Sequence, residues 1–246
     1  MTKEYYCKHL VALQTEGDRE DVIRLCREYE KFCRKNGDLD GLAEVLDTLS
    51  MEMDVSEHPD ARIVFDDLLE LRKALAQNDF ISYGQAYALL LNRYSYTWTE
   101  TADEAIAYQK EAMDIYKQLG LYDEKGFDIG FEDAFGYLGK LYCFNSDYTL
   151  GIHYTTIALE RALIDAGNDF LIGIYYRRLG IAYLSIDNTT TSRQLFQKAI
   201  EYFTNANQTD PDPIVYPEVT GSCRQLLKEC NGRTHSDEYY KQWLVG

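Results

Sequence analysis

The sequence predicts an all-α protein of about twelve antiparallel helices stacked as a right-handed superhelix, an α-solenoid. Three observations predict it. Only four prolines interrupt 246 residues. Apolar residues recur at helical spacing almost throughout. One stretch, FGYLGKLY (135–142), returns without a gap as YRRLGIAY (176–183), 41 residues on, and self-similarity at a fixed period marks stacked repeats.

The helices follow in order. Segments 4–15 and 19–35 are amphipathic, the second on Val22, Leu25, Cys26, Tyr29 and Cys33. Turn signals at 16–18, 35–38, 56–60, 76–79, 118–126, 144–147, 165–169, 186–188 and 208–213 are rich in Asp, Asn, Ser and Gly, the residues that cap and stop helices. Between them run helices of ~12–20 residues, and short turns join antiparallel neighbours into hairpins. No segment reads as a strand. A helix over 214–230 carries Val219, Cys223, Leu226, Leu227 and Cys230 on one face, and EYYKQWLVG (238–246) reads as a short cap, which solenoid ends require. The expectation is a single domain over 1–246, with weak repeats at 1–78, clearer ones at 79–207 and capping helices at 208–246.

The two aligned stretches share aromatic-x2-Leu-Gly-x2-Tyr: Phe135, Leu138, Gly139, Tyr142, then Tyr176, Leu179, Gly180, Tyr183. Small residues seven apart follow each, Gly151/Ala158 and Ser192/Ala199. Weaker copies hold Tyr87, Leu90, Leu91 and Tyr94 with Ala105/Ala112, and Leu46, Leu49, Ser50 and Met53 with Ala61. This pattern resembles the tetratricopeptide repeat (TPR). Tyr or Phe replaces its Trp, its closing Pro is missing near Leu163 and Thr204, and the period of 41 exceeds the usual one, so the hairpins are longer. Hairpins of that length are similar to those of bacterial cytoplasmic regulators that sense peptides. The resemblance implies that Gly139 and Gly180 let two helices approach closely while small residues of the second helix accept the first.

Composition excludes several functions. Forty-one acids against 25 bases leave a net charge of −16. That repels a phosphate backbone, whose affinity comes from Lys and Arg, and an anionic membrane surface. No run of ~18 uncharged apolar residues exists to span a bilayer, and MTKEYYCKHL has no signal-peptide pattern, so the expected location is the cytoplasm. The six cysteines are scattered. Cys26/Cys33 and Cys223/Cys230, each seven apart, lie about 10 Å apart along a helix, too far for a disulfide, so they read as buried thiols. Phosphate-loop, zinc-protease and nucleophile-elbow signatures are absent. The four histidines sit near no nucleophile. The expectation is a protein that is not an enzyme and uses no metal or other cofactor.

A candidate groove comes from helical register. In TPR-like stacks the first helix of each hairpin lines the concave side. At ~100° per residue, Ile174, Arg177, Ile181 and Leu184 point there, with Arg178 on the flank. One repeat earlier come Asp133, Gly136, Lys140 and Cys143, then Gln85, Ala88, Asn92 and Ser95, then Glu44, Asp47, Met51 and Asp54. Asn92, with donor and acceptor, suits a peptide backbone, and Arg177 with Lys140 suits a carboxylate. Tyr96, Tyr137 and Phe144 add apolar contact at the rim, part of an unusual total of 21 tyrosines. The ligand-binding set is therefore Asn92, Tyr96, Tyr137, Lys140, Phe144, Arg177 and Arg178. The expected partner is a protein or peptide segment with an acidic side chain or C-terminal carboxylate. Three alternatives stay open: Arg177 as a strut paired with Asp133 or Asp169, a peptide-sensing regulator that changes shape, and an enzyme with a carboxylate site in the groove. The carboxylate clamp of chaperone adaptors needs more Lys and Asn than Asn92, Lys140 and Arg177 supply, so that activity is not implied.

Overall fold

The turn residues do what their chemistry allows. Asp38, Asp79, Asp147, Asn168 and Asn188 each accept, through a side-chain oxygen, the backbone N–H three residues on, at 2.9–3.2 Å. Such a bond satisfies a helix-start N–H left without an intrahelical partner and contributes about 1 kcal/mol. The computed structural model describes residues 2–16, 19–55, 57–123, 126–127, 132–164, 168–212, 214–232 and 235–244. Among them are twelve α-helices: α1 (Lys3–Glu16), α2 (Arg19–Asn36), α3 (Leu39–Val55), α4 (Ala61–Asn78), α5 (Phe80–Thr97), α6 (Ala102–Gln118), α7 (Glu132–Phe144), α8 (Tyr148–Ile164), α9 (Asp169–Ser185), α10 (Thr189–Thr209), α11 (Val215–Glu229) and α12 (Asp237–Lys241). A 3-10 turn, Gln242–Leu244, follows. The one strand pair is β1 (Tyr122–Asp123) with β2 (Gly126–Phe127), antiparallel, Tyr122 opposite Phe127.

The chain forms two units, Met1–Trp98 with Ala112–Leu119, and Thr99–Glu111 with Gly120–Gly246. In the first, α1 to α5 pack each on the next. Tyr6 stacks on Tyr29 with centroids 4.8 Å apart. Leu46, Leu49 and Met53 of α3 and Phe65 and Leu68 of α4 are fully buried, as the 3.6-residue period of their spacing requires.

In the second unit α7 packs on α8, α8 on α9, α9 on α10 and α10 on α11. The glycines set the spacing. A Cβ on Gly180 would lie 2.6 Å from the Phe196 ring, and one on Gly173 equally close to Phe203. The Ser192 hydroxyl donates to the Gly180 carbonyl at 2.7 Å. At Gly139 a Cβ would meet backbone, the Thr155 nitrogen at 2.8 Å and the Gly151 oxygen at 3.0 Å. The expected small partners Gly151, Ala158, Ser192 and Ala199 are all buried. At the chain's end Tyr240 and Leu244 have no exposed surface and close the apolar cluster of α9–α11.

The connections repeat as well. Ser146 and Asp187 both have left-handed backbone, φ 61° and 62°. After each, a backbone N–H reaches back five residues: Asp147 to the Tyr142 oxygen and Asn188 to the Tyr183 oxygen, both at 2.9 Å. This is the hydrogen-bond pattern of a Schellman helix stop. Both turns lead straight into a capping Asp or Asn.

The contacts at glycine predict opposite signs for one substitution. Gly139→Ala should lower unfolding free energy by about 1–3 kcal/mol, because the added carbon meets the Thr155 side chain and the backbone of α8, which cannot yield. Gly221→Ala in α11, where nothing lies within 4 Å of the added carbon, should raise it by up to about 1 kcal/mol through helix propensity. Urea titration followed by circular dichroism checks both.

Candidate functional site

Asn92 and Tyr96 lie on α5 in the first unit; Tyr137, Lys140, Phe144, Arg177 and Arg178 lie on α7 and α9 in the second. Each set stands by itself. Three of the second set meet. The Lys140 ammonium lies 5.8 Å from the Tyr137 ring centre and 5.9 Å from that of Phe144. They are spaced i−3, i and i+4 along α7, which puts them on one helix face. All three are half-buried, and burial pushes the Tyr137 hydroxyl pKa up.

The arginines turn opposite ways. Arg177 is buried, 3% exposed. Its Nη1 lies 3.5 Å from the Ser222 Oγ of α11, and Ser222 itself donates to the Val219 oxygen at 2.7 Å. Loss of water pulls the guanidinium pKa down. Arg178 reaches the other neighbour: its Nη1 donates to the Gly136 carbonyl of α7 at 3.3 Å. Neither pairs with Asp169, and the side chain of Asp133, like residues 128–131 of the glycine-rich stretch, falls outside the described residues. The rest of the groove register in α9 is packed too: Ile174, Ile181 and Leu184 are buried among α10 and α11.

Buried thiols occur in the same layers. Burial raises Cys143 to about 12 and Cys223 to about 11, opposed by Arg178 and Arg177 respectively. Cys26 in α2 is pushed up to about 12 in the same way. Such thiols stay protonated at neutral pH and are poor nucleophiles and metal ligands. Among the described residues no three His, Cys, Asp or Glu side chains gather as a metal ion would need, and no helix is long and apolar enough to cross a membrane.

In the first unit Gln85 is exposed as the register on α5 expects, but further along the helix the open face is displaced by one residue. Ala88 and Ser95 are buried and Asn92 is half-buried, its carbonyl accepting the Ser95 hydroxyl at 2.6 Å. Leu89 and Tyr96 are instead 40% and 42% exposed. On α3 the expected register holds, with Glu44, Asp47 and Met51 facing outward. Between α3, α4 and α5 opens a pocket of about 270 Å3, lined by Asp47, Arg72, Ala86, Leu89, Leu90 and Arg93. Arg93 holds the Asp47 carboxylate at 3.0 Å and the Ser50 hydroxyl at 2.7 Å, and its guanidinium lies 4.3 Å over the Phe65 ring. Sequence reasoning missed Arg72 and Arg93. Arg93 is one place beyond Asn92, and a 100° error of phase hides it.

No protein-family model matches the chain, and no curated protein matches its sequence. Solved structures do match. One is a Signal Transduction ATPase with Numerous Domains (STAND) protein with a tetratricopeptide repeat sensor from Pyrococcus horikoshii. It is 18% identical, with a TM-score of 0.64, over 97% of this chain and 34% of that one. Another is BtubC (BKLC) from P. vanneervenii, 16% identical, TM-score 0.61, over 93% of both chains. At such identities the likeness concerns the fold. This chain spans about a third of the STAND protein's length.

The burial of Arg177 predicts how its variants behave. Arg177→Ala should lower unfolding free energy by about 2–4 kcal/mol, the range for an emptied buried site. Arg177→Met, which refills the volume without a charge to desolvate, should lose far less or gain. Thermal and urea unfolding of both variants measure this; equal losses would mean that the charge, and not the packing, is what matters.

Proposed function

We propose that the chain is a non-catalytic module that binds a protein or peptide segment on the outward faces of its hairpins. One observation carries this reading. On the first unit, exposed Met51, Leu89 and Tyr96 lie one helical turn from the charged groups Asp47 and Arg93. Tyrosine, methionine and arginine set among apolar contacts are the residues that supply binding energy at protein interfaces. The Tyr137–Lys140–Phe144 face of α7 is a second surface of the same kind, and Asn92 and Arg178 belong to the extended candidate set. Arg177, buried, acts there through the position of α9. We read the recurring turns at Ser146 and Asp187, 41 residues apart, as hairpins of a long-period TPR-like repeat. In a chain so acidic the basic groups Arg72, Arg93 and Lys140 favour an acidic segment as ligand, and the unpaired thiols suit the reducing cytoplasm.

A second reading, a sensor whose hairpins shift on binding, is favoured by the likeness to a structure described as holding a TPR sensor. Hydrogen exchange with and without ligand separates the two: a sensor shows changed protection far from the contact, a passive module only at it.

Panning a displayed random-peptide library against the full chain tests the proposal. A defined peptide family should emerge, binding with micromolar affinity and weakened about tenfold or more by Tyr96→Ala or by Tyr137→Ala. Failure to enrich any family, or binding indifferent to both substitutions, overturns it.

A further inference from the structure

The pocket between α3, α4 and α5 holds two guanidinium groups in different states. Arg93 is committed: carboxylate and hydroxyl on Nη2, an aromatic ring on its face. Arg72 is not. Its nearest acidic partner is the Asp47 Oδ2 at 4.0 Å, the edge of ion-pair range, and it makes no hydrogen bond among the described residues. Its side chain is only 16% exposed. A guanidinium offers five donors in a planar fork, and Arg72 uses none of them in a hydrogen bond among the described residues, so the fork is open to an acceptor from outside. Asp47, held by Arg93, faces Arg72 without engaging it closely. Opposite lie Ala86, Leu89 and Leu90.

The geometry points to a binding site for a carboxylate, received by the fork of Arg72 with the ligand's aliphatic stem against Ala86, Leu89 and Leu90. Charge decides against a phosphate. Two arginines and one aspartate leave the pocket with one net positive charge, which a carboxylate cancels and a phosphate dianion overshoots. Size points the same way. At about 270 Å3 the pocket falls just below the range of sites that enclose a whole small molecule. It fits the end of something longer, either a C-terminal residue or an acidic side chain of a peptide. The inference rests on the peptide-binding reading for its natural ligand and adds the group recognised and the residue that recognises it. Arg72 stands on α4, outside the helices whose register the sequence singled out.

Small acids test the pocket directly. Titration calorimetry on the full chain uses N-acetyl-leucine as a terminal carboxylate and N-acetylglutamic acid α-amide as a side-chain carboxylate. N-acetyl-leucinamide is the uncharged control and isopentyl phosphate the dianion. At least one carboxylate should bind in the millimolar range, at least tenfold tighter than the amide or the phosphate. The tighter of the two carboxylates identifies the source. Arg72→Gln, which removes no hydrogen bond among the described residues, should weaken the carboxylate at least tenfold. Asp47→Asn, which removes the competing acid, should tighten it and admit the phosphate. The inference is overturned if no carboxylate binds, if the amide binds as tightly, if Arg72→Gln leaves affinity unchanged, or if Asp47→Asn weakens the acid. Because the probes are not peptides, the two readings fail separately. A pocket that takes the acid while panning enriches nothing leaves this inference standing alone, and the converse leaves the binding module without its pocket.

Discussion

The missing Cβ of Gly180 sets how near α9 and α10 approach, and much of the second unit follows from that approach. With a hydrogen in place of a methyl, the Phe196 ring occupies the space a Cβ would need and Ser192 reaches the Gly180 carbonyl. Gly173 and Phe203 repeat the contact two turns away. A ring buried without exposed surface contributes about 1.5–3 kcal/mol, and two such rings fix both the distance and the register of the pair. Gly139 does the same for α7 and α8 with backbone in place of a ring. Helices held this closely have few alternative packings, because interiors fill to crystal-like density.

Rigid pairing explains the two adjacent arginines of α9. Residues 177 and 178 are 100° apart on the helix, so one faces forward to Ser222 in α11 and the other back to Gly136 in α7. The sequence YYRRLGIAYL is apolar because α9 is enclosed by α8, α10 and its two flanking neighbours. Its charges are the ties between successive hairpins, with long aliphatic stems that also fill space. An arginine enclosed in this way is a costly ligand contact. Two of the cations beside the candidate surfaces lie elsewhere: Lys140 next to two aromatic rings, and Arg72 in its pocket.

Local chemistry was legible in the sequence, and helical phase was not. Asp79, Asn168 and Asn188 start helices where their side chains predict, and Gly139, Gly180 and their small partners stand at the contacts their spacing implies. Those features act within a few residues, where sequence and geometry are tightly linked. Which side of α5 is open depends on α3 and α4, and a phase error of one residue placed Ala88 and Ser95 on the open face and missed Leu89 and Arg93, whereas Tyr96, expected at the rim, is exposed. In α9 no phase leaves a broad open face, since neighbours enclose it on several sides. Of the seven residues picked for binding, Tyr137, Lys140 and Phe144 come together; Asn92 and Tyr96 lie in the other unit. The Arg72 pocket was hidden because its lining comes from three helices and no single periodic pattern.

A double-mutant cycle at Gly180 and Phe196 tests the packing on which the second unit depends. Unfolding free energies are measured for the parent chain, Gly180→Ala, Phe196→Leu and the pair together. The close-approach account predicts that Gly180→Ala costs about 2 kcal/mol or more beside the ring and much less in the Phe196→Leu background, a coupling of at least about 1 kcal/mol. Costs that add to within about 0.5 kcal/mol would contradict it, because the ring and the glycine would then not determine each other's place.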